Sequence, residues 1–549
     1  MKKRYRLFAL ALVLCCMLGG RAQAMENDMI KVGLKYGSNA LFSANLYNYE
    51  DFGHGYAMGY YADSRIFVPI GAETGEQGVS MTVDGNVYIS SQTYYQSRPA
   101  SYSDMIGGWH LQLDARYDSF DAASSVASMY PDAFVAYLDD RYAVRVGQYA
   151  SSQEAEMARA AWSGYDTVSV AAPSGTCVTV TVTGTNRILL EFDCGGRRHL
   201  AMHPLSTHGE EPVTWFKGYR YNGDFEYQRT PGGNINVINV VDLESYVKGV
   251  IGWELGGDKP LESLKAQAVC ARTYAAFQTR HKNSGFDVCN TTDCQVYQGT
   301  AASNATTDAA VDQTRGEYLF YNGKPVLEAV YYSSNGGATE DCKNVWGSEV
   351  GYLKGKEDPF EASVASRIYG YRWTATYSGA ELGAKLQAKG YNIGTVTNVY
   401  VSEFTPTGNV CALTFEGTAG TKTVYRESCR TVLGLKSMRF TVIGGSGGST
   451  IAINNGSSTL PSLSGAYAIS GSGSVMQLDG VNPYVITSRG VSPLTQSGGA
   501  SGTSGQFTFS GSGSGHNVGL SQWGSVAMAQ QGYSYRDILQ FYYTGVTIR

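Results

Sequence analysis

The sequence predicts an α+β chain, mixed and multi-domain, rich in strand and carrying one long helix directly behind a glycine-bounded loop. Three observations predict it. Short runs alternate apolar and polar residues and close on Gly, Asn or Asp, the pattern of hairpins (IKVGLKYG, VSMTVDGNVYIS, WHLQLDARY). Glycine (67) and tyrosine (40) are both abundant, as expected of turn-rich sheet with amphipathic rings on its faces. One segment, 260–283, departs from this pattern: Leu261, Leu264, Ala268, Ala271 and Ala275 recur at helical spacing behind Pro260.

At 549 residues the chain exceeds one ordinary domain and has room for about two to four. Its 43% apolar and 16% charged composition favours packed cores over disorder. Lys and Arg number 42 against 47 Asp and Glu; from Met25 onward the balance is 37 against 47, a net of -10. That disfavours a broadly cationic nucleic-acid binder. Residues 1–24 read as an export signal. Lys2, Lys3, Arg4 and Arg6 precede an apolar run from Leu7 to Leu18, and Ala22-Gln23-Ala24 offers a cleavage site. The run is short for a bilayer span; retained, it would tether the chain to the membrane's outer face. Cys15 and Cys16 fall in this signal. Cys177, Cys194, Cys270, Cys289, Cys294, Cys342, Cys411 and Cys429 remain, an even number in a compartment that permits pairing. Cys177/Cys194 and Cys411/Cys429 each flank a hairpin pattern and are candidates to staple it.

The order of elements divides the chain further. Residues 25–137 read as β-rich. Residues 138–203 read as strand, helix and two strands, with Ser151 or Ser152 as helix cap and Glu154 in the first turn. The longest coherent block runs from 204 to 443 and includes the 260–283 helix and a second helix at 378–390. Residues 444–510 are Gly/Ser-rich at both ends, with alternating AYAISG, VMQLDG and YVITSRG between, and read as an inserted hairpin region. Residues 511–549 close the chain with two helices and a strand.

Four places offer chemistry. In VDLESYVKGVIGWELGGDKP, a short helix interrupted by Gly249 and Gly252 would leave Glu254 on a glycine-flanked turn beside Trp253. A carboxyl held against an indole is disfavoured in its charged form, which suits a general acid. On the following helix Lys265 and Arg272 are seven apart and share a face, with Gln267 nearby; they read either as groove-lining groups or as a solvated polar stripe. His281, Cys289 and Cys294 offer ligands for tetrahedral zinc, with Asp293, His516 or Cys342 as the fourth; a Cys289–Cys294 disulfide is the rival. Finally, YYSSNGGATEDCKNVWG and GSGSGHNVGLSQWG bring hydroxyls, glycines and an imidazole into loops. Ser333, Ser334 and His516 there suggest a hydrolase, but neither stretch carries a GxSxG elbow.

Together, VVDLESYVKGVIGWEL, ESLKAQAVCARTYAAFQ, CQVYQG, AVYYSSNGGATEDCKNVWG, YLKGKEDPF and GHNVGLSQWGSVAMAQQGYSYRDILQFYY resemble the stage II sporulation protein D and amidase-enhancer family over about residues 204–549. The resemblance implies a lytic transglycosylase acting on peptidoglycan glycan strands, with strands stripped of stem peptides preferred. It works alongside a wall amidase in sporulation and engulfment, on the outer side of the membrane. The family's catalytic glutamate falls on Glu254, preceded here by Gly252-Trp253 where members more often carry a Pro-Ser-like pair. Supporting basic residues fall on Lys265 and Arg272. Polar substrate-binding positions fall on Gln267, Ser333, Ser334, Tyr352, Lys354, His516 and Gln522. No cofactor is implied for the reaction. Some members hold a structural zinc near the cleft, where His281, Cys289 and Cys294 lie without a second histidine. The 138–203 unit, with YAVRVGQYASSQEAEMARAAW, resembles the sporulation-related repeat, which binds denuded glycan.

A lytic transglycosylase would need only one carboxyl, because the muramic C6 hydroxyl is the nucleophile. A hydrolytic muramidase needs a second; Asp242, Glu244 and Glu340 are the candidates. A non-enzymatic glycan-binding or amidase-activating protein is the reading of a different class.

Overall fold

The computed structural model describes residues 28–49, 52–164, 166–206, 208–230, 232–444 and 505–549, with six short strands between 451 and 493. The expected export signal lies outside the described residues. Among those described, no helix is long and apolar enough to cross a membrane. Strands dominate and helices are scattered among them, the α+β class expected. The chain forms two compact units: Met1–Asp258 with Ala271–Glu317 and Arg549, and Lys259–Cys270 with Tyr318–Ile548.

The first unit holds a seven-stranded and a ten-stranded sheet. In the smaller, strand Ile235–Asp242 lies between Met29–Lys35 and Asp224–Arg229 and pairs antiparallel with both. Ile235, Val237, Ile238, Val240 and Val241 are all buried, as a near-continuous apolar run in an internal strand requires. Pairing of residues 29–35 with 235–242 crosses the borders expected at 137/138 and 203/204.

The larger sheet contains a β-α-β-β-α-β unit. Its strands are Trp109–Leu113, Ala133–Leu138, Arg141–Tyr149 and Val168–Ala171, and its helices Phe120–Ala127 and Ser152–Ala160. Ser151 caps the second helix, its hydroxyl accepting from the Glu154 amide, while Glu154 accepts from Ala150 N–H at 2.9 Å. The strand at 141–149 thus pairs with two strands upstream of residue 138.

The cysteine staples are corrected: all eight cysteines are free thiols. Strands Val178–Val182 and Ile188–Asp193 pair with Val178 opposite Phe192, so Cys177 continues opposite Asp193 and Cys194 falls one residue out of step. Alternation sends the two side chains to opposite faces. Cys177 joins Asp84 and Glu191, while Cys194 lines a cavity with Tyr60, Asp140 and Arg198.

In the second unit, helix Gly379–Gln387 starts on Ser378, which forms a reciprocal capping box with Glu381. It packs with strands Val396–Phe404 and Val410–Gly417 around Leu382, Leu386, Val399, Leu413 and Phe415. Cys429 Sγ lies 3.5 Å from the Cys411 carbonyl oxygen. Strand Gln506–Ser512 runs between Arg372–Ser378 and Phe440–Gly444, so it belongs to this unit's sheet and not to an insertion. Between 451 and 493 the six short strands form three antiparallel hairpins, as the alternating segments suggested.

One buried charge network in the first unit has a measurable consequence. Asp84, Glu191 and Cys177 meet in the interior, with Arg145 and His110 against Glu191. Asp84 is 8% exposed; burial, then the charge of Glu191, push its carboxyl up to about 7. The folded protein therefore retains a proton that the unfolded chain releases near its ordinary value of 3.8. Stability falls as pH rises between those values. Asp84→Asn removes that loss, so its stability relative to the parent should rise by about 2 kcal/mol between pH 5 and pH 8. Urea unfolding at the two pH values measures it; a constant difference would contradict the assignment.

Candidate functional site

The end of strand Ile235–Asp242 launches helix Leu243–Glu254. Asp242 caps it, its carboxylate accepting from the amides of Glu244 and Ser245 at 3.0 and 3.2 Å. Contrary to the sequence expectation, Gly249 and Gly252 do not interrupt the helix. They lie on the face against residues 297–302. A methyl on Gly249 would stand 2.6 Å from the Gly299 carbonyl, and one on Gly252 would collide with that of Ala302. Glycine is used there for close backbone approach. Tyr246 donates to Gln295 Oε1 at 2.9 Å, and Tyr297 donates to Asn239 Oδ1 at 2.9 Å. Helix and loop are thus one rigid assembly.

Glu254 therefore sits on the last helical turn, half-buried. Its Oε1 accepts the backbone N–H of Val296 at 2.8 Å. Trp253 beside it is 43% exposed, an open ring at the helix end. The carboxyl is positioned by a main-chain amide, where the sequence suggested an indole.

Arg272 is also corrected. It lines no groove and is fully buried. Its Nε and Nη2 donate to the two carboxylate oxygens of Glu244 at 2.9 and 2.7 Å, and Nη2 reaches the Val311 carbonyl at 3.2 Å. Glu244 Oε1 accepts Gly316 N–H as well. This fork-to-fork pair ties the first turn of the helix to residues 311–316. Glu244 lies ten positions before Glu254 along one helix, about 15 Å away at 1.5 Å per residue. Asp242 lies further still. A catalytic carboxylate pair stands ~5–9.5 Å apart, so neither is the second acid of a muramidase.

The thiol loop runs directly into Val296, whose amide holds Glu254. His281, Cys289, Asp293 and Cys294 bring one ligand atom each to within 4.8 Å of one another. Asp293 is thus the fourth member, in place of His516 or Cys342. His281 Nε2 is buried and makes no hydrogen bond, standing 3.4 Å from Asp293 Oδ2. Accepting from the Cys294 thiol, and then from Thr291 and Tyr36, holds the Cys289 thiol well below the usual range. Two sulfurs, a nitrogen and an oxygen fit a tetrahedral borderline-soft cation such as zinc. The Asp84, Cys177 and Glu191 group is a second set of possible donors, but Glu191 there is engaged by Arg145 and His110.

The remaining expected site residues lie in the second unit. Lys265 pairs with Glu262 at 2.7 Å and stands over the Tyr535 ring. Gln267 is buried, and neither its amide nitrogen nor its oxygen is hydrogen-bonded. Ser334 is buried and donates to Glu361 Oε1 at 2.6 Å, so Ser334 and His516 form no catalytic dyad. Glu361 also accepts from Ser521 and from the amides of Asn335 and Gly336. Ser333 is partly exposed, its carbonyl accepting Trp523 N–H. Tyr352 accepts Glu328 N–H, and Lys354 pairs with Glu349. His516 packs against Tyr332 and Trp346; burial pushes its imidazole down to about 4, and Nδ1 accepts Val518 N–H. Gln522 is buried with its amide nitrogen unbonded. Glu340, the third muramidase candidate, is buried and accepts from Thr405, Asn409, Asn344 and the Asp341 amide.

A family model described as stage II sporulation protein matches residues 231–321, which includes the helix, Glu254, Arg272 and the thiol loop. A Brachyspira hyodysenteriae protein described only as uncharacterized is 32% identical over 317 residues, covering 57% of this chain and 68% of its own length. The stage II sporulation protein D of Bacillus subtilis is 28% identical over 56% of this chain and 74% of its own. The chain belongs to the stage II sporulation protein D family. The amidase enhancer of Bacillus subtilis is 30% identical over 55% of this chain, and that match spans 40% of the enhancer's length.

Among the site positions assigned to this sporulation protein D family member, Ser333, Ser334, Tyr352, Lys354, His516 and Gln522 fall outside the matched 231–321 segment. Sequence reasoning missed Glu361 and Asp358, the buried acids that organise the polar loops. It also missed Val296, whose contribution is a backbone amide and has no side-chain signal.

Arg272→Ala leaves Glu244 buried without its partner and should cost about 3–5 kcal/mol. Urea unfolding should show the loss, and the double variant Glu244→Gln/Arg272→Met should lose much less than two such penalties. An unchanged midpoint in Arg272→Ala would remove this pair from the account.

Proposed function

We propose that this protein remodels peptidoglycan outside the cytoplasmic membrane, cleaving glycan strands as a lytic transglycosylase with Glu254 as its acid and base. The observation that carries the reading is the Val296 N–H on Glu254 Oε1, which fixes the carboxyl at the end of the helix beside an open tryptophan. Glu254 starts as the carboxylic acid, with one transferable proton. Glu254 gives this proton to the glycosidic oxygen as the bond from muramic C1 breaks. The carboxylate then takes the proton of the muramic C6 hydroxyl, whose oxygen bonds C1 and closes the 1,6-anhydro ring. No water is consumed, and the glutamate ends protonated as it began. The distance of Asp242 and Glu244 from Glu254 supports this single-carboxyl route over hydrolysis. Arg272 acts as a positioning residue through Glu244.

His281, Cys289, Asp293 and Cys294 would hold a zinc ion. When bound it supplies a structural crosslink and enters no step; Cys294 and Val296 are two residues apart, so the crosslink would stiffen the segment that holds Glu254. The natural partner is an amidase that strips stem peptides. The 138–203 region, with its strand–helix–strand pattern, would hold the chain on denuded glycan and raise the local substrate concentration.

A second reading is favoured by the printed name of one relative, amidase enhancer. There the chain binds glycan and activates an amidase without cutting. Mass spectrometry of products from denuded strands separates the two. The parent should yield anhydro-muramic ends and Glu254→Gln none, a loss of at least about a hundredfold for removal of a general acid. Strand binding without cleavage by both proteins would establish the second reading, and reducing muramic ends would establish a muramidase.

The thiol loop has its own test. Metal analysis should find one zinc per chain, and Cys294→Ser should lose it together with thermal stability. A parent free of zinc whose mass lacks both thiol hydrogens would instead establish the Cys289–Cys294 disulfide.

A further inference from the structure

An exposed aromatic strip occupies one edge of the ten-stranded sheet in the first unit, and neither the proposed reaction nor the metal loop uses it. Tyr49 follows strand Ser43–Asn48, and Trp215 lies on strand Thr214–Phe216. The Tyr49 and Trp215 rings are near-parallel, 17° apart with centroids at 6.2 Å. Phe52 continues the row at 24° and 6.4 Å from Tyr49. Phe52 is 46% and Trp215 39% exposed, and Tyr49 is partly open. The backbone beneath is pinned: Tyr49 N–H donates to the Val213 carbonyl at 2.8 Å, and Val213 N–H to that of Phe52 at 2.6 Å. The rings are thus held in place and not gathered by chance.

A cation completes the strip. Arg220 stands opposite Trp215 in the strand register, on Tyr219–Tyr221 at the edge of the sheet. Its guanidinium lies 4.9 Å from the Tyr49 ring centroid, and it forms no ion pair among the described residues. Open parallel rings stack on the flat C–H faces of pyranose sugars, and a guanidinium over such a ring suits a carboxylate carried beside the sugar. Muramic residues provide both. When an amidase hydrolyses the lactyl amide, the stem peptide leaves as an amine and a lactyl carboxylate remains on the sugar. A peptide-bearing residue lacks that charge at the ring and carries bulk in its place.

We infer that Phe52, Tyr49, Trp215 and Arg220 form a distal glycan subsite in which the rings bind the sugar faces and Arg220 selects muramic residues bearing a free lactyl carboxylate. The choice of occupant rests on the proposed glycan substrate. The subsite is joined to the candidate site through the first unit's own backbone. The Arg220 carbonyl accepts Thr300 N–H at 2.8 Å, and the neighbouring Gly299 carbonyl lies against Gly249 of the Glu254 helix.

Binding of fluorescent glycan oligosaccharides to the full chain tests this, using peptide-free and peptide-bearing strands at low and high salt. The parent should prefer peptide-free strands, and the preference should shrink with salt. Arg220→Gln should weaken peptide-free binding by about tenfold and leave peptide-bearing binding unchanged, with Arg220→Lys recovering part of the loss. Trp215→Ala should weaken both by about tenfold; Phe52→Ala, at an exposed position, gives the same direction should the tryptophan variant misfold. Parental binding in Arg220→Gln and in the ring variants would overturn the subsite. Since the readout is binding, it is separable from cleavage. A Glu254→Gln protein that still produced anhydro ends would overturn the proposed reaction and leave the subsite standing.

Discussion

The close approach of residues 295–302 to helix Leu243–Glu254 is the constraint on which the first unit's candidate chemistry depends. Side-chain-free faces at Gly249 and Gly252 admit the carbonyls of Gly299 and Ala302. Only at that separation does the Val296 amide reach Glu254. The helix is held at its other end by Asp242 and by the Glu244–Arg272 pair, and Tyr246 and Tyr297 lock the loop from both sides. Glycine costs helix stability of about 1 kcal/mol per residue, and this helix carries two such residues in its interior. Tertiary packing against the loop offsets that penalty, which is why the local pattern alone pointed to an interrupted helix.

Much of the architecture was legible in the sequence. The hairpin alternation, the cap at Ser151, the helix after Ser378 and the long helix behind Pro260, which ends at Phe277 and not at 283, all follow from local rules. What was illegible is of another kind. Strand Met29–Lys35 pairs with a partner some two hundred residues away, and no local pattern specifies such a register. Arg272 read as one end of a polar stripe because its partner, Glu244, sits on a different helix. Glu361 and Asp358 carried no sequence signal, since burial by donors from three separate segments, around Ser334, Ser521 and Tyr542, is a property of the assembled fold. The Cys177/Cys194 pair failed on a single step of register, with Asp193 and not Cys194 opposite Cys177.

The thiol loop and the helix end share a mechanical logic. Cys289 continues a short parallel pairing with strand Met29–Lys35, with Gly33 opposite it, and so anchors the start of the loop to the sheet. Cys294, Gln295 and Val296 then follow in sequence: one joins the ligand cluster, the next accepts from Tyr246, and the third donates to Glu254. Any crosslink at Cys294 acts on the carboxyl through a lever of two residues. This coupling needs no conformational signal over distance, only a backbone too short to absorb the displacement.

Under the proposed reading, that stiffness has a chemical reason. A glycosidase with two carboxylates divides proton donation and nucleophile activation between groups on opposite sugar faces, and each can be placed independently. A single glutamate that first protonates the leaving oxygen and then deprotonates the muramic C6 hydroxyl must reach both from one position. Its carboxyl cannot swing between two poses without losing hydrogen-bond reach of one of them, about 2.6–3.2 Å. A backbone amide on one oxygen restricts that swing, and an amide embedded in a pinned loop restricts it more tightly than a flexible side-chain donor could. The absence of a second acid near Glu254 on its own helix and the presence of a main-chain clamp on Glu254 are therefore two aspects of one requirement.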